Sequence, residues 1–174
     1  MTDRIQEMFD RSDLLELVNR YARGLDRCDV DQLKAVFFDD ATVNMISFSG
    51  SAHAFAETTP AALRVHAVTT SHLTSNCLFE IAGDRATGES YLISISVMKD
   101  GDASKPAIHV GRYLDRFERR NGEWKIACRT IIIDLEVAGS FPAGVHALMP
   151  KSDEQRHPDD ASYSLRSWLT ETRG

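Results

Sequence analysis

Only three cysteines occur, Cys28, Cys77 and Cys128, far apart and without a CxxC or any other close ligand spacing. That argues against a disulfide framework and predicts buried, reduced thiols. No run approaches the length that spans a bilayer, and the N-terminal MTDRIQEMFDRSD carries charge where a signal peptide has an apolar core. A cytoplasmic protein without a membrane partner is the expectation. Basic charge is not in excess either: 20 Lys and Arg stand against 26 Asp and Glu, a formal net charge of -6. Nucleic acid and anionic membrane are disfavoured as partners, which leaves a small molecule or another protein. The chain has no GxGxxG, GxxxxGK or GxSxG, so dinucleotide, phosphate-loop and serine-hydrolase chemistry lose weight. Among His53, His66, His109, His146 and His157 no two stand at metal-ligand spacing, and no metal is expected. Repeats and low-complexity segments are missing as well.

What is present is enough for one domain: 174 residues, 43% hydrophobic, a size at which a core folds without disulfides or a structural metal. From Ser12 to Arg27, Leu14, Leu15, Leu17, Val18, Tyr21, Ala22 and Leu25 recur at helical spacing, which predicts an amphipathic helix. Asp29 and Gln32 have capping-box-like spacing before Leu33, Val36 and Phe37, so a second helix starts at Asp29 and forms a hairpin with the first. Ala41 to Phe48 is rich in strand formers, and a third helix is placed from about Thr59, with Pro60 in its first turn, to before Thr69. The period then changes to two. His72–Ala82, Arg85–Lys99, Ala107–Arg120 and Glu123–Val137 read as strands, joined by Gly83-Asp84, by a longer polar loop over 99–106, and by Asn121-Gly122. Helices followed by an antiparallel sheet make an α+β domain. From Ala138 onward Gly, Pro, His and acidic residues prevail until Asp160, after which a short helix anchored by Leu165, Trp168 and Leu169 is expected.

Several polar residues fall in apolar places. At about 100° per residue, Asp26 lies at the margin of the apolar arc of the first helix. It is also at the helix C-terminus, where the macrodipole disfavours a carboxylate and a histidine or arginine would compensate it. A solvated residue at a helix end is the competing reading. In TTSHLTSN and beyond, alternation puts Leu73, Cys77, Phe79 and Ile81 on a core face and His72, Thr74, Asn76 and Leu78 on a mixed face. Such a face lines a pocket or meets water, and His72 is accordingly a site residue, or else a surface or a structurally hydrogen-bonded imidazole. Arg129 alternates with Ala127, Ile131, Ile133 and Leu135 on what should be the inward face, so it is paired with a carboxylate or faces a cavity. Tyr21 packs in the helical core and needs a polar partner for its hydroxyl if buried.

With RYARGLDRCDVDQLKAVFFDDA, SHLTSN and GRYLDRFERRNGEWKIACRTI, the chain resembles the SnoaL-like branch of the nuclear transport factor two-like superfamily over about residues 8 to 136. Within it the likeness is to the group containing scytalone dehydratase, hexachlorocyclohexane dehydrochlorinase and bile-acid dehydratase. The resemblance implies a cone-shaped α+β barrel, with N-terminal helices on a strongly curved, mainly antiparallel sheet around one deep pocket. It implies a cone domain over 1–137 and a homodimer or homotrimer; the tail is not diagnostic of the family, and the extension over 138–174 is expected to pack on that domain or on a neighbouring subunit. In the eliminating members an aspartate near the end of the first helix orients a histidine that opens the sheet; these roles fall on Asp26 and His72. An arginine on the last strand matches Arg129. Tyr21, five residues before Asp26, stands where the bile-acid dehydratase type has a tyrosine, which tilts the substrate towards an oxygenated one. No pocket carboxylate of that type can be placed between Arg85 and Lys99, where Tyr91, Ser94 and Ser96 are the polar possibilities.

The function expected on these grounds is a cofactor-independent dehydratase acting on a small hydrophobic, oxygenated cyclic substrate. Neutral His72 takes a proton from an acidified carbon, Asp26 fixes its tautomer, and Tyr21 or Arg129 stabilises the developing oxyanion or the leaving hydroxyl. Met45, Tyr91 and Phe141 are the candidate pocket residues. The alternatives are an isomerase or polyketide-type cyclase in the same pocket, and a non-catalytic ligand-binding or partner subunit.

Overall fold

A computed structural model of the protein describes residues 2–101, 103–139 and 156–164. The chain starts with helix α1 (Thr2–Asp26), ten residues earlier than the apolar stripe predicts. Ile5, Met8 and Phe9 are exposed in the added turns, so burial does not explain them. Polar contacts do: Arg11 pairs with Glu7 and donates to the Phe79 carbonyl at 2.8 Å, while buried Asp10 accepts from Trp124 at 2.9 Å and Arg119 at 2.8 Å. Helix α2 (Val30–Ala35) follows, with Asp29 capping the Gln32 amide at 3.0 Å as its spacing predicts. The Gln32 side chain does not complete the box. It donates to the Arg20 carbonyl of α1 instead and so ties the hairpin.

Strands β1 (Phe37–Asn44) and β2 (Ser49–Ser51) precede helix α3 (Ala52–His66). This helix starts well before Thr59 because Ser51 caps it, and Pro60 lies inside it rather than in the first turn. Four long strands come next: β3 (Ala67–Ala82), β4 (Arg85–Asp100), β5 (Ala103–Arg120) and β6 (Glu123–Ala138). The predicted long loop over 99–106 does not form, since β4 and β5 pair as far as Asp100 with Ala103. Asn121 and Gly122 both have positive φ, as a tight hairpin of right-handed strand twist requires. The strand order is β2-β1-β6-β5-β4-β3, all neighbours antiparallel except β1 with β6. The helices lie on one face of this curved mixed sheet, the cone-like α+β arrangement expected. The core between them is built from Leu14, Val18, Tyr21, Leu33, Phe37, Phe55, Leu92, Tyr113, Phe117 and Ile126.

Bulges in β3 and β6 set which side chains face that core. In β3 the register shifts between Ser75 and Leu78, and Asn76 adopts φ 47°. The extra residue reverses the alternation, so Thr70, His72 and Thr74 share the inner face with Phe79, while Leu73 turns out and is 52% exposed. A single unbroken period had placed Leu73 in the core. In β6, register shifts beside Ala127 and Asp134 act likewise, and Leu135, expected inside, is exposed. Gly111 faces the second of these shifts; a Cβ there would lie 2.0 Å from the Ile132 carbonyl oxygen.

The segment 156–164, with the short helix α4 (Ala161–Ser164), folds back on the α1–α2 hairpin. His157 donates to the Arg27 carbonyl at 2.7 Å, Arg27 pairs with Asp160 at 3.1 Å, and Tyr163 donates to Asp29 at 2.6 Å. Leu165, Trp168 and Leu169 lie outside the described residues. Among the described residues no helix is long and apolar enough to cross a membrane. All three cysteines are free, but only Cys28 is buried; Cys77 and Cys128 are half-buried.

Candidate active site

Asp26 is the last residue of α1, and the bulged β3 presents His72 to it. One carboxylate oxygen lies 2.6 Å from His72 Nδ1, and the other accepts the His72 backbone N–H at 2.8 Å. The carboxylate thus holds both ring and backbone of one residue, which rules out the solvated-helix-end reading of Asp26 and the surface reading of His72. Both side chains are nearly buried, at 12% and 13% exposure. An ionised carboxylate only accepts, so the facing Nδ1 is the donor, which in a neutral ring leaves the lone pair on Nε2. The two line a groove of about 420 Å³ with Asn19, Ala22, Arg23 and Thr74.

A residue that the sequence reading passed over completes the helix end. Arg156, 1% exposed, donates through Nη1 to the backbone carbonyl of Asp26 and to Thr70 Oγ1, the latter at 3.0 Å. A cation at a helix C-terminus meets orphaned carbonyls and offsets the macrodipole. Histidine thus meets the Asp26 carboxylate, and arginine meets the helix end at its backbone carbonyl. Nothing near Arg156 in the sequence signals this, because the contact crosses from the far end of the chain.

Tyr21 and Arg129 form a second cluster, deeper in the core. Arg129 is fully buried and makes a bidentate pair with Asp115, both bonds 2.7 Å, while its guanidinium lies 4.0 Å from the Tyr21 ring centre and 4.3 Å from that of Tyr113. The carboxylate pairing weighed for Arg129 is thus the one found; its Nη1 has no partner among the described residues. Burial, with Asp115 adding to it, raises the Tyr21 hydroxyl to about 12 against the opposing pull of Arg129, so the group is a donor at neutral pH. Its hydroxyl sits 4.0 Å from the Met45 sulfur. Tyr21 and Asp26 ride on one helix about 7.5 Å apart along its axis.

Of the other candidates, Met45 packs against this cluster. Tyr91 does not join either group: it pairs with Ser75 and Arg112 on the outer face of the sheet and is 46% exposed. Phe141 lies outside the described residues. Among the described residues no three His, Cys, Asp or Glu side chains are grouped to hold a metal.

The SnoaL-like domain family model matches residues 6–130. Among solved structures, a Novosphingobium aromaticivorans DSM 12444 protein assigned as a scytalone dehydratase superposes with a TM-score of 0.68 at 21% identity, covering 82% of this chain and 95% of its own. The type 3 hexachlorocyclohexane dehydrochlorinase LinA of Novosphingobium barchaimii LL02 gives 0.69 at 18% identity, covering 84% and 99%. Type 2 of that dehydrochlorinase gives 0.68 at 20% identity, covering 82% and 95%. No protein of curated function matches the sequence. These identities carry the fold alone, but the family model spans well over half of the chain, from the first helix through Asp26, His72 and Arg129. The chain belongs to the SnoaL-like domain family.

Proposed function

We propose that this protein is a cofactor-independent lyase that removes water by β-elimination from a small, hydrophobic, oxygenated cyclic substrate. The observation that carries the reading is the double grip of Asp26 on His72, at 2.6 and 2.8 Å. With Nδ1 held by a carboxylate, the His72 Nε2 lone pair takes a proton from a carbon made acidic by a neighbouring carbonyl, and Asp26 stabilises the imidazolium that forms. Tyr21, protonated at neutral pH, and Arg129 supply the donors for oxygen that gains negative charge. In the present packing Arg129 is paired with Asp115 and lies over the buried Tyr21 ring, so a substrate reaches them only by displacing neighbouring side chains. Dehydratase and dehydrochlorinase neighbours of the same fold agree with an elimination. The active protein is proposed to be a homodimer or homotrimer.

The test is a mass-resolved turnover screen of wild type and His72→Ala against hydroxylated, carbonyl-bearing polycyclic compounds, with circular dichroism showing that both fold. Loss of one water with wild type alone supports the dehydratase. A product of unchanged mass moves the reading to isomerase or cyclase, and tight binding without turnover by both proteins moves it to a binding shell.

A further inference from the structure

The strand register places four polar residues in one row on the inner side of the sheet. His72 of β3 is paired with Ser94 of β4, Ser94 with His109 of β5, and His109 with Glu136 of β6. Directly paired residues point to the same face, and the outward neighbours Leu73, Ile93, Ile95 and Ile108 are exposed, so His72, Ser94 and His109 point in, with Glu136 at the exposed end of the row. Ser94 is 8% exposed, and its hydroxyl lies 3.5 Å from His109 Nδ1. The other ring nitrogen of His109 lies 3.6 Å from a Glu136 carboxylate oxygen. With strands about 4.8 Å apart, the backbone of Ser94 stands about 5 Å and that of His109 about 10 Å from the backbone of His72.

We infer that Ser94 and His109, with Glu136 behind them, form the acid side of the site, and that the leaving group is therefore a hydroxyl and not a halide. The inference rests on the base role proposed for His72. Hydroxide leaves a carbon poorly unless it is protonated, whereas chloride leaves as the anion and gains little from an acid. The two ring nitrogens of His109 face Ser94 and Glu136, so a proton that the ring holds in the acid role reaches the site through the serine. In the step, the C–H bond breaks and its proton goes to His72 Nε2. The electron pair forms the double bond and the C–O bond breaks. The departing oxygen takes the Ser94 proton, and His109 Nδ1 refills the serine. One water leaves, His72 has gained a proton and His109 has lost one; a proton moving from His72 to His109 through solvent restores the start. The strand spacing suits substrates in which the acidic C–H and the C–OH are on adjacent carbons.

The test compares cyclic β-hydroxy ketones with β-chloro ketones on the same one-, two- and three-ring skeletons, with uncatalysed rates subtracted. The proteins are wild type, His109→Gln, Ser94→Ala and His72→Gln, each checked for folding by circular dichroism. Losing a general acid should slow water loss by about 100-fold or more. The ratio of water loss to chloride loss should fall at least about tenfold in both His109→Gln and Ser94→Ala, and His72→Gln should lower the two together. An unchanged ratio in the folded acid-side variants overturns the inference. Wild type that expels chloride but not water overturns it too while leaving the base role of His72 standing. Wild type that expels neither from any skeleton removes both.

Discussion

Asp26 and Arg129 are both charged residues inside the domain, and their surroundings give them different tasks. Asp26 spends both carboxylate oxygens on His72, so Asp26→Ala should cut turnover by about 100-fold or more while the protein still folds, measured on whichever compound the wild type converts. Arg129 is matched by Asp115 in full burial. Removing one member leaves an unpaired buried charge, and Arg129→Met should lower stability by about 3–5 kcal/mol in urea melts. The double variant Arg129→Met/Asp115→Leu should recover most of that loss; if it is as unstable as the single variant, the pair is not what holds the two strands. The inward position of Arg129 was legible from alternation, because a charge among Ile131 and Ile133 stands out whatever its partner. Asp115 was not, because nothing in sequence reports which carboxylate of a neighbouring strand lies opposite. His109 escaped for the same reason: reading a strand from Ala107 gives it a place at an end, and only the register puts it two strands from His72.

At the scale of elements, the bulge in β3 decides the chemistry. Asn76 holds a left-handed φ of 47°, a conformation that costs other L-residues about 1 kcal/mol or more and that glycine and asparagine tolerate. Asn76→Gly should fold with His72 in place, whereas Asn76→Val should lose about 1–2 kcal/mol in a denaturant melt. Equal stability of the two would show that the bulge does not depend on this residue. Strand existence was legible from period and turn chemistry, but bulges add one residue without a composition signal, and every face assignment beyond them reverses. The segment 156–164 is a second element with a stated energetic role. Burial alone would raise the Asp29 carboxyl, but hydrogen bonds from Tyr163 and the Gln32 amide and the charges of His157 and Arg23 outweigh it and hold it below the ordinary range. Burial and the bond to Asp29 push the Tyr163 hydroxyl up to about 12. A lowered carboxyl contributes fully above its unfolded value and is lost as pH falls through the folded one; a raised phenol contributes fully below about 10 and is lost as pH climbs to about 12. The stability gap between wild type and Tyr163→Phe should therefore be about 1–3 kcal/mol at pH 7 and close below about pH 4. A gap that persists unchanged at pH 3 would contradict the Asp29 contact.

Across the whole molecule, the outer face of the sheet carries apolar rows that a monomer would leave in water. Leu73, Ile93, Val110 and Leu135 form one row over four strands, and Ile95, Ile108 and Val137 form the next. Arg112, Glu89 and Asp134 flank them with charge of both signs, as a face that meets its own copy would have. Ile93→Lys should convert a sedimenting oligomer to monomer; wild type sedimenting as a monomer would contradict the proposed assembly. The cone architecture was legible as a whole because helix-then-strand order and the last hairpin are local signals, while the docking of Arg156 under Asp26 joins opposite ends of the chain. The central claim remains that Asp26 sets the tautomer of His72, and nitrogen-15 NMR of the histidine rings in neutral form, assigned with His72→Gln, reads it directly. A His72 ring protonated at Nδ1 in wild type, with that preference lost in Asp26→Ala, is the predicted result. A ring protonated at Nε2, or one indifferent to Asp26, would contradict the assignment of His72 as the base.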